Sequence, residues 1–272
     1  MPRIPDDSAA PRSFVVPPLA VAAPRAFAAL VTRPLRYTLS EPATFFGELL
    51  GVFLLAVMFL VIVPTRGFAP GGWTAAEWLV PGLLAIVAWH SAFTNAAFSV
   101  VFHRLEGGMD DMLTAPIPSL ILAAGWAFGS TLNALLVALA AGLILSLFAP
   151  PPVHIVAVVL WLGVGALTLS FAGIVAGLYS PRYDTVSFYD TLFVYPILML
   201  SGFLGTGAPL PMLGRVLVDG NPLSQPVRAL RAAWHARPLE GTARGEIFLL
   251  FALAIGWIAA WSVIARGRQL RR

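Results

Sequence analysis

Residues 120–148 and 153–178 contain no Asp, Glu, Lys or Arg at all. A helix rises about 1.5 Å per residue and a hydrocarbon layer is roughly 30 Å thick, so each run is long enough to cross a bilayer. Lipid is therefore the expected solvent for most of the chain. Composition agrees: 58% of the 272 residues are hydrophobic and 11% are charged, where a soluble domain carries about 25% charged residues. Applied along the whole chain, the same reasoning predicts an all-α membrane protein with six transmembrane helices, at residues 45–63, 78–101, 120–148, 153–178, 186–204 and 245–265.

Between these runs lie segments that hydrocarbon would not accept. The first is FHRLEGGMDDMLTAPIP, between the second and third runs. Arg104, Glu106, Asp110 and Asp111 need water or an interface, while Leu105, Met109, Met112 and Leu113 recur at helical spacing. Gly107-Gly108 permits a local break, and Pro116 with Pro118 stops any helix before the next run. A short amphipathic helix on the membrane face and a solvated loop both fit this pattern. The second island is YSPRYDTVSFYD, with Arg182, Asp184 and Asp190 among aromatic residues. Residues 205–244, rich in Gly, Pro and Arg, are too interrupted to span and too apolar for a plain loop, which favours re-entrant or interfacial half-helices.

At the start, residues 1–23 read as a cytoplasmic tail. Arg25, Arg33 and Arg36 then alternate with bulky apolar groups up to Ser40. That segment reads as an interfacial helix broken near Pro34, or as an irregular basic linker. With six spans both termini share a side. The Arg residues before the first span and the basic end at residues 267–272 put that side in the cytoplasm. Both polar islands then face the cytosol. The Arg-rich loop before the last span falls outside, against the charge rule, unless some of its Arg residues pair with Asp219, Glu240 or Glu246.

The sequence has no Cys and no Lys. Disulfides, thiolate nucleophiles and Cys-ligated metals are excluded, and so is a GxxxxGK[ST] phosphate-binding loop. Any ATP that drives this chain must bind another polypeptide. Catalytic and metal-binding residues are not expected: away from the first residues of the apolar runs the acids and histidines are Glu48, His90 and Asp190, and Ser91 follows His90 too closely on a helix to face it. An ion-coupled secondary transporter would need ionisable groups near the midplane. An intramembrane lipid-modifying enzyme would need a nucleophile beside a base.

Three segments carry a resemblance. RLEGGMDDMLTAPIPSLILAAG resembles the loop after the second span of ABC-2 type export permeases. YSPRYDTVSFYDTLFVYPILMLSGFLG is similar to the fourth-to-fifth-span region of the nodulation-type lipo-oligosaccharide, polysaccharide and polyketide-drug exporters. NPLSQPVRALRA is similar to the family's P-L-x-x-x-V-x-x-x-R.

The resemblance implies a membrane permease subunit, a homodimer or a dimer with a close paralogue, in the cell inner membrane. Two copies of a cytosolic ATP-binding subunit would carry the ATP and Mg, and this chain would hold no cofactor. The cargo would be a lipid-linked glycan, glycolipid or amphipathic drug; membrane lipid is a partner and nucleic acid is not. Arg104, Leu105, Glu106, Asp110, Asp111 and Met112 would form a coupling helix, with Arg182 and Asp184 in a second contact to the ATPase. Phe53, Phe188, Tyr189, Tyr195 and Phe203 would line the substrate path. Gly205, Pro209, Pro211, Pro222 and Arg228 would shape an external gate, although GTGAPLP departs from the bulky Phe-Pro turn more common there.

Overall fold

A computed structural model describes residues 19–62, 73–109, 112, 117–203, 212–236 and 242–267. Every regular element among them is helical. Helix α1 is Leu19–Ser40, α2 is Pro42–Val57 with a π-helical turn at Met58–Ile62, and α3 is Ala75–Leu105. Helix α4 is Ser119–Leu145 and α5 is Ile155–Tyr179. Helix α6, Tyr183–Tyr189, runs through a π-helical turn at Asp190–Val194 into α7, Tyr195–Met199. Helices α8, Met212–Asp219, and α9, Ser224–His235, precede α10, Thr242–Arg266. Among the described residues three helices, α3, α4 and α5, are long and apolar enough to cross a membrane, and four if the bent pair α1–α2 counts as one span.

Local chemistry sets the helix ends. Thr74 and Glu77 form a reciprocal cap for α3: the Glu77 N–H donates to Thr74 Oγ1 at 3.2 Å and the Thr74 N–H to the Glu77 carboxylate at 2.9 Å. Beyond α3, Gly107 turns the chain at a φ of 81°, a conformation open to glycine. Pro118 precedes α4, and Pro181 follows the last residue bonded into α5.

The centre of the bundle is α3 against α5, in a contact that needs glycine. A Cβ on Gly177 would stand 2.6 Å from the Ala97 carbonyl oxygen, and one on Gly173 would collide with that of Phe93. Gly165 lies beneath the Trp89 indole, whose Nε1–H donates to the Leu162 carbonyl at 3.1 Å. Phe93 and Ala97 meet Gly173 and Gly177 in the same order, so the two helices run in the same direction and their C-termini share one end. Small residues allow backbones to approach this closely where lipid offers no hydrophobic drive.

Helix α1 differs from the expectation of a segment lying on the membrane face and broken at Pro34. It is continuous through Pro34 and packs lengthwise on α4. Leu30 rests on Gly125, Val31 and Pro34 on Gly129, and Thr38 Oγ1 donates to Asn133 Oδ1 at 2.7 Å. Pro34 has no N–H to give the Leu30 carbonyl. That carbonyl faces Gly129 instead, where a Cβ would come within 2.9 Å of it. The bend falls at Glu41–Pro42: Ala23–Ser40 and Phe45–Val61 are inclined by 76°.

The fifth apolar run begins at Tyr183 and its helix stops at Met199, before Gly202 turns the chain at a φ of 77°. In the segment before the last helix, α9 buries Val227, Leu230 and Trp234. Its end is tied to the α4–α5 turn: Trp234 Nε1 donates to the Pro150 carbonyl at 2.9 Å, and the Val153 N–H donates to the Trp234 carbonyl at 2.8 Å. Helix α10 lies on α5, with Gly256 and the Trp257 ring against Phe171.

Candidate functional site

One end of the bundle gathers both polar islands. Arg104, in the last turn of α3, donates through Nη1 to the carbonyls of Leu178 at 2.6 Å and Ser180 at 3.1 Å. Those oxygens sit at the C-terminus of α5, where unsatisfied carbonyls and the helix dipole favour a cation. Arg104 thus clamps the first island to the start of the second. Beside it, His103 Nδ1 donates to the Ser99 carbonyl at 2.6 Å, which leaves Nε2 to accept from Arg33 Nη1 on α1. Leu105, Glu106, Arg182 and Asp184 are exposed around this clamp, and Met109 is buried beneath it with Met112 packed partly against the same cluster. Asp110 and Asp111 lie outside the described residues.

The opposite end is held by Arg231 on α9. Its side chain is 1% exposed. Nε donates to the Trp78 carbonyl at 2.9 Å, Nη2 to the carbonyls of Gly202 at 3.0 Å and Phe203 at 2.8 Å, and the guanidinium lies 3.9 Å over the Trp78 ring. One side chain therefore joins α9, the start of α3 and the turn after α7. Burial pulls its pKa down to about 9, with Arg228 adding a smaller push, so it stays charged at neutral pH. Arg228 pairs with Asp219 at 3.0 Å in a more exposed setting. Pro222 sits in the turn between α8 and α9. Gly205, Pro209 and Pro211 lie outside the described residues.

Of the aromatic residues expected on the substrate path, Phe188, Tyr189 and Tyr195 share the α6–α7 run, with Phe188 and Tyr195 exposed. Phe53 is exposed on α2. Phe203 is fully buried, edge-on to Phe59 and seated against Gly82.

Between these ends the structure assembles a polar site that the sequence shows only as scattered residues. A cavity of about 450 Å³ is lined by Arg33 and Tyr37 from α1, Glu48 from α2, Tyr183 from α6, and Ser91, Thr94, Asn95 and Ser99 from α3. One turn before Thr94 on α3, His90 Nε2 donates to Asp190 Oδ2 at 3.0 Å, and the Tyr195 ring lies 4.5 Å from the imidazole. Asp190 opens the π-helical turn, a local widening that often marks functional positions. Its second oxygen, Oδ1, is buried with no partner among the described residues. Among those residues no group of three or more His, Asp or Glu is placed to hold a metal ion.

A profile of the ABC-2 type transporter membrane family matches residues 25–234, from the middle of α1 to the end of α9. The chain belongs to that family. It is similar to the inner membrane transport permease YadH of Escherichia coli strain K12 and to the proteins of the same name in Escherichia coli O157:H7 and Shigella flexneri. Each is 28% identical over 204 residues, covering 74% of this chain and 78% of the relative. No solved structure matches this chain.

Proposed function

We propose that this chain is the membrane subunit of an ATP-driven exporter in the inner membrane, with both termini cytoplasmic. It would work as a dimer with two copies of a separate ATP-binding subunit. The observation that carries this reading is the family match over most of the bundle, in a chain whose lack of Lys rules out a phosphate-binding loop of its own. The cargo would be an amphiphile: a lipid-linked glycan, a glycolipid or an amphipathic drug. Its apolar part suits the exposed aromatic face of α6–α7, and its polar head suits the cavity beside Glu48.

In this reading the end around Arg104 receives the motor. Nucleotide binding draws the two ATPases together and displaces the segment around residues 105–112. Arg104 passes that displacement to the end of α5 and the start of α6. A difference of a few kcal/mol in contact energy suffices to shift a two-state equilibrium decisively. At the far end Arg231 keeps α9 in step with α3 and α7, so the segment from Gly205 to Arg231 acts as the external gate.

Reconstitution tests the proposal. Vesicles holding the permease and its ATP-binding subunit are expected to move a fluorescent amphiphile only with hydrolysable ATP. Transport that follows an ion gradient without the ATPase would overturn this reading and favour ion coupling, which the His90–Asp190 pair within the apolar runs would then serve.

A further inference from the structure

The wall of the cavity between α1, α2, α3 and α6 carries two opposite charges that do not meet. Arg33 comes from α1 and Glu48 from α2, on either side of the 76° bend, and both side chains are exposed. The ion pairs among the described residues are His90–Asp190 and Arg228–Asp219, so Arg33 and Glu48 are not joined to each other. A guanidinium has five N–H donors. Arg33 gives one of them to His103 Nε2 and remains cationic. His103 is neutral in this arrangement, because Nδ1 donates to the Ser99 carbonyl while Nε2 accepts. The other lining groups are uncharged and include spare donors: the Asn95 amide N–H groups and the Ser91 and Ser99 hydroxyls make no hydrogen bond among the described residues. Phe98 and Phe102 line the same cavity, and Phe102 is 44% exposed.

A head with a single charge suits one of these two residues and is repelled by the other. We infer that the cavity is a subsite for a zwitterionic head, an aminophosphate of the phosphoethanolamine kind carried on a lipid chain. Its phosphate takes the remaining N–H groups of Arg33, a charge-assisted contact for which the planar guanidinium is well shaped. Ser99 and Asn95 stand one and two turns before His103 on α3, so their donors fall on the same face as the residue that holds Arg33. The ammonium lies against Glu48, and the apolar chain leaves past Phe98 and Phe102. The cavity volume, about 450 Å³, is in the range of pockets that hold small organic groups. This inference deepens the exporter reading and rests on it only for the ligand's role as cargo.

The test is a binding measurement on the full chain in dodecyl maltoside micelles, read by fluorescence anisotropy. The probe is lysophosphatidylethanolamine labelled on its acyl chain. Two analogues each lack one charge: the N-acetyl form keeps only the phosphate, and a form with a neutral carbamate in place of the phosphate keeps only the ammonium. The zwitterion is expected to bind about tenfold tighter than either analogue, the value of one charge-assisted contact. Glu48→Gln should erase the preference over the N-acetyl form and keep that over the carbamate. Arg33→Gln should do the reverse. The preference that each variant keeps reports an intact cavity. Equal binding of the three probes by the wild-type chain would overturn the inference whether or not a variant folds, and so would a variant that retains both preferences. Soluble phosphoethanolamine at the probe's concentration should not displace it; displacement would overturn the assignment to a lipid head. ATP-driven transport of another amphiphile alongside failed binding would leave the exporter reading standing. Charge-matched binding without transport would overturn only the ligand's role as cargo, so the two failures are distinguishable.

Discussion

His90 on α3 and Asp190 at the head of the π-helical turn are joined by a hydrogen bond of 3.0 Å across 100 positions of sequence. Neither group belongs in hydrocarbon alone, and each makes the other tolerable. His90→Phe removes the donor and leaves both Asp190 oxygens unpaired. It should destabilise the protein by about 2 kcal/mol, whereas His90→Phe combined with Asp190→Leu should recover much of the loss. Unfolding in mixed micelles checks this through a double-mutant cycle; additive effects would mean that the two residues do not support one another.

Arg231 and Arg228 occupy the same helix with opposite consequences. Arg231→Met strands three carbonyls and removes the cation over Trp78, so a loss of about 3 kcal/mol is expected. Arg228→Ala breaks an ion pair whose side chains are 28% and 54% exposed, and should cost less than about 1 kcal/mol. Thermal unfolding of the two variants side by side measures the contrast.

Glycine tolerance should follow the helix contacts. Gly173→Val would drive a side chain into the Phe93 carbonyl and force α3 and α5 apart, at a cost of about 2–3 kcal/mol. Gly142→Ala is the control, because its new Cβ meets only Leu84 Cδ1 at 3.9 Å, and it should leave stability within about 1 kcal/mol of wild type. Expression level and unfolding midpoint read both.

Arg104 and Glu106 separate structure from docking. Arg104→Ala loses two hydrogen bonds at the end of α5 and should lower stability by about 1–3 kcal/mol. It should also weaken transport per ATP hydrolysed, because in the proposed mechanism the clamp passes motion onward. Glu106→Arg, on an exposed side chain, should leave stability unchanged and reduce association with the ATP-binding subunit. Co-purification yield with melting temperature distinguishes the two effects.

The apolar runs made much of the bundle legible. The uncharged run at 120–148 became Ser119–Leu145, and the one at 153–178 became Ile155–Tyr179, because Pro118, the Pro150–Pro152 turn and Pro181 punctuate them locally. The run at 78–101 was extended to Ala75–Leu105 by the Thr74–Glu77 cap and by Arg104, whose charge finds carbonyls instead of lipid. Local pattern does not reveal contacts between distant helices. Arg33 and Pro34 read as an interfacial segment, and only Gly125 and Gly129 on α4 explain why α1 packs lengthwise. His90 and Asp190 each read alone as a polar residue in an apolar run, and their pair exists only where α3 meets the π-helical turn. Arg231 was visible as the last residue of the family motif, yet nothing local showed that three carbonyls would surround it.

The central claim is that the Arg104 end of the bundle is cytosolic and meets an ATP-hydrolysing partner. The chain has no native cysteine, so single-cysteine variants report cleanly. Glu106→Cys and Asp184→Cys mark that end, and Leu147→Cys marks the exposed turn between α4 and α5 at the other. With a short bifunctional cross-linker in cells, the account predicts capture of the ATP-binding subunit from positions 106 and 184 and none from 147. Capture from 147 alone, or labelling of 106 and 184 by a membrane-impermeant thiol reagent added outside the cell, would contradict it.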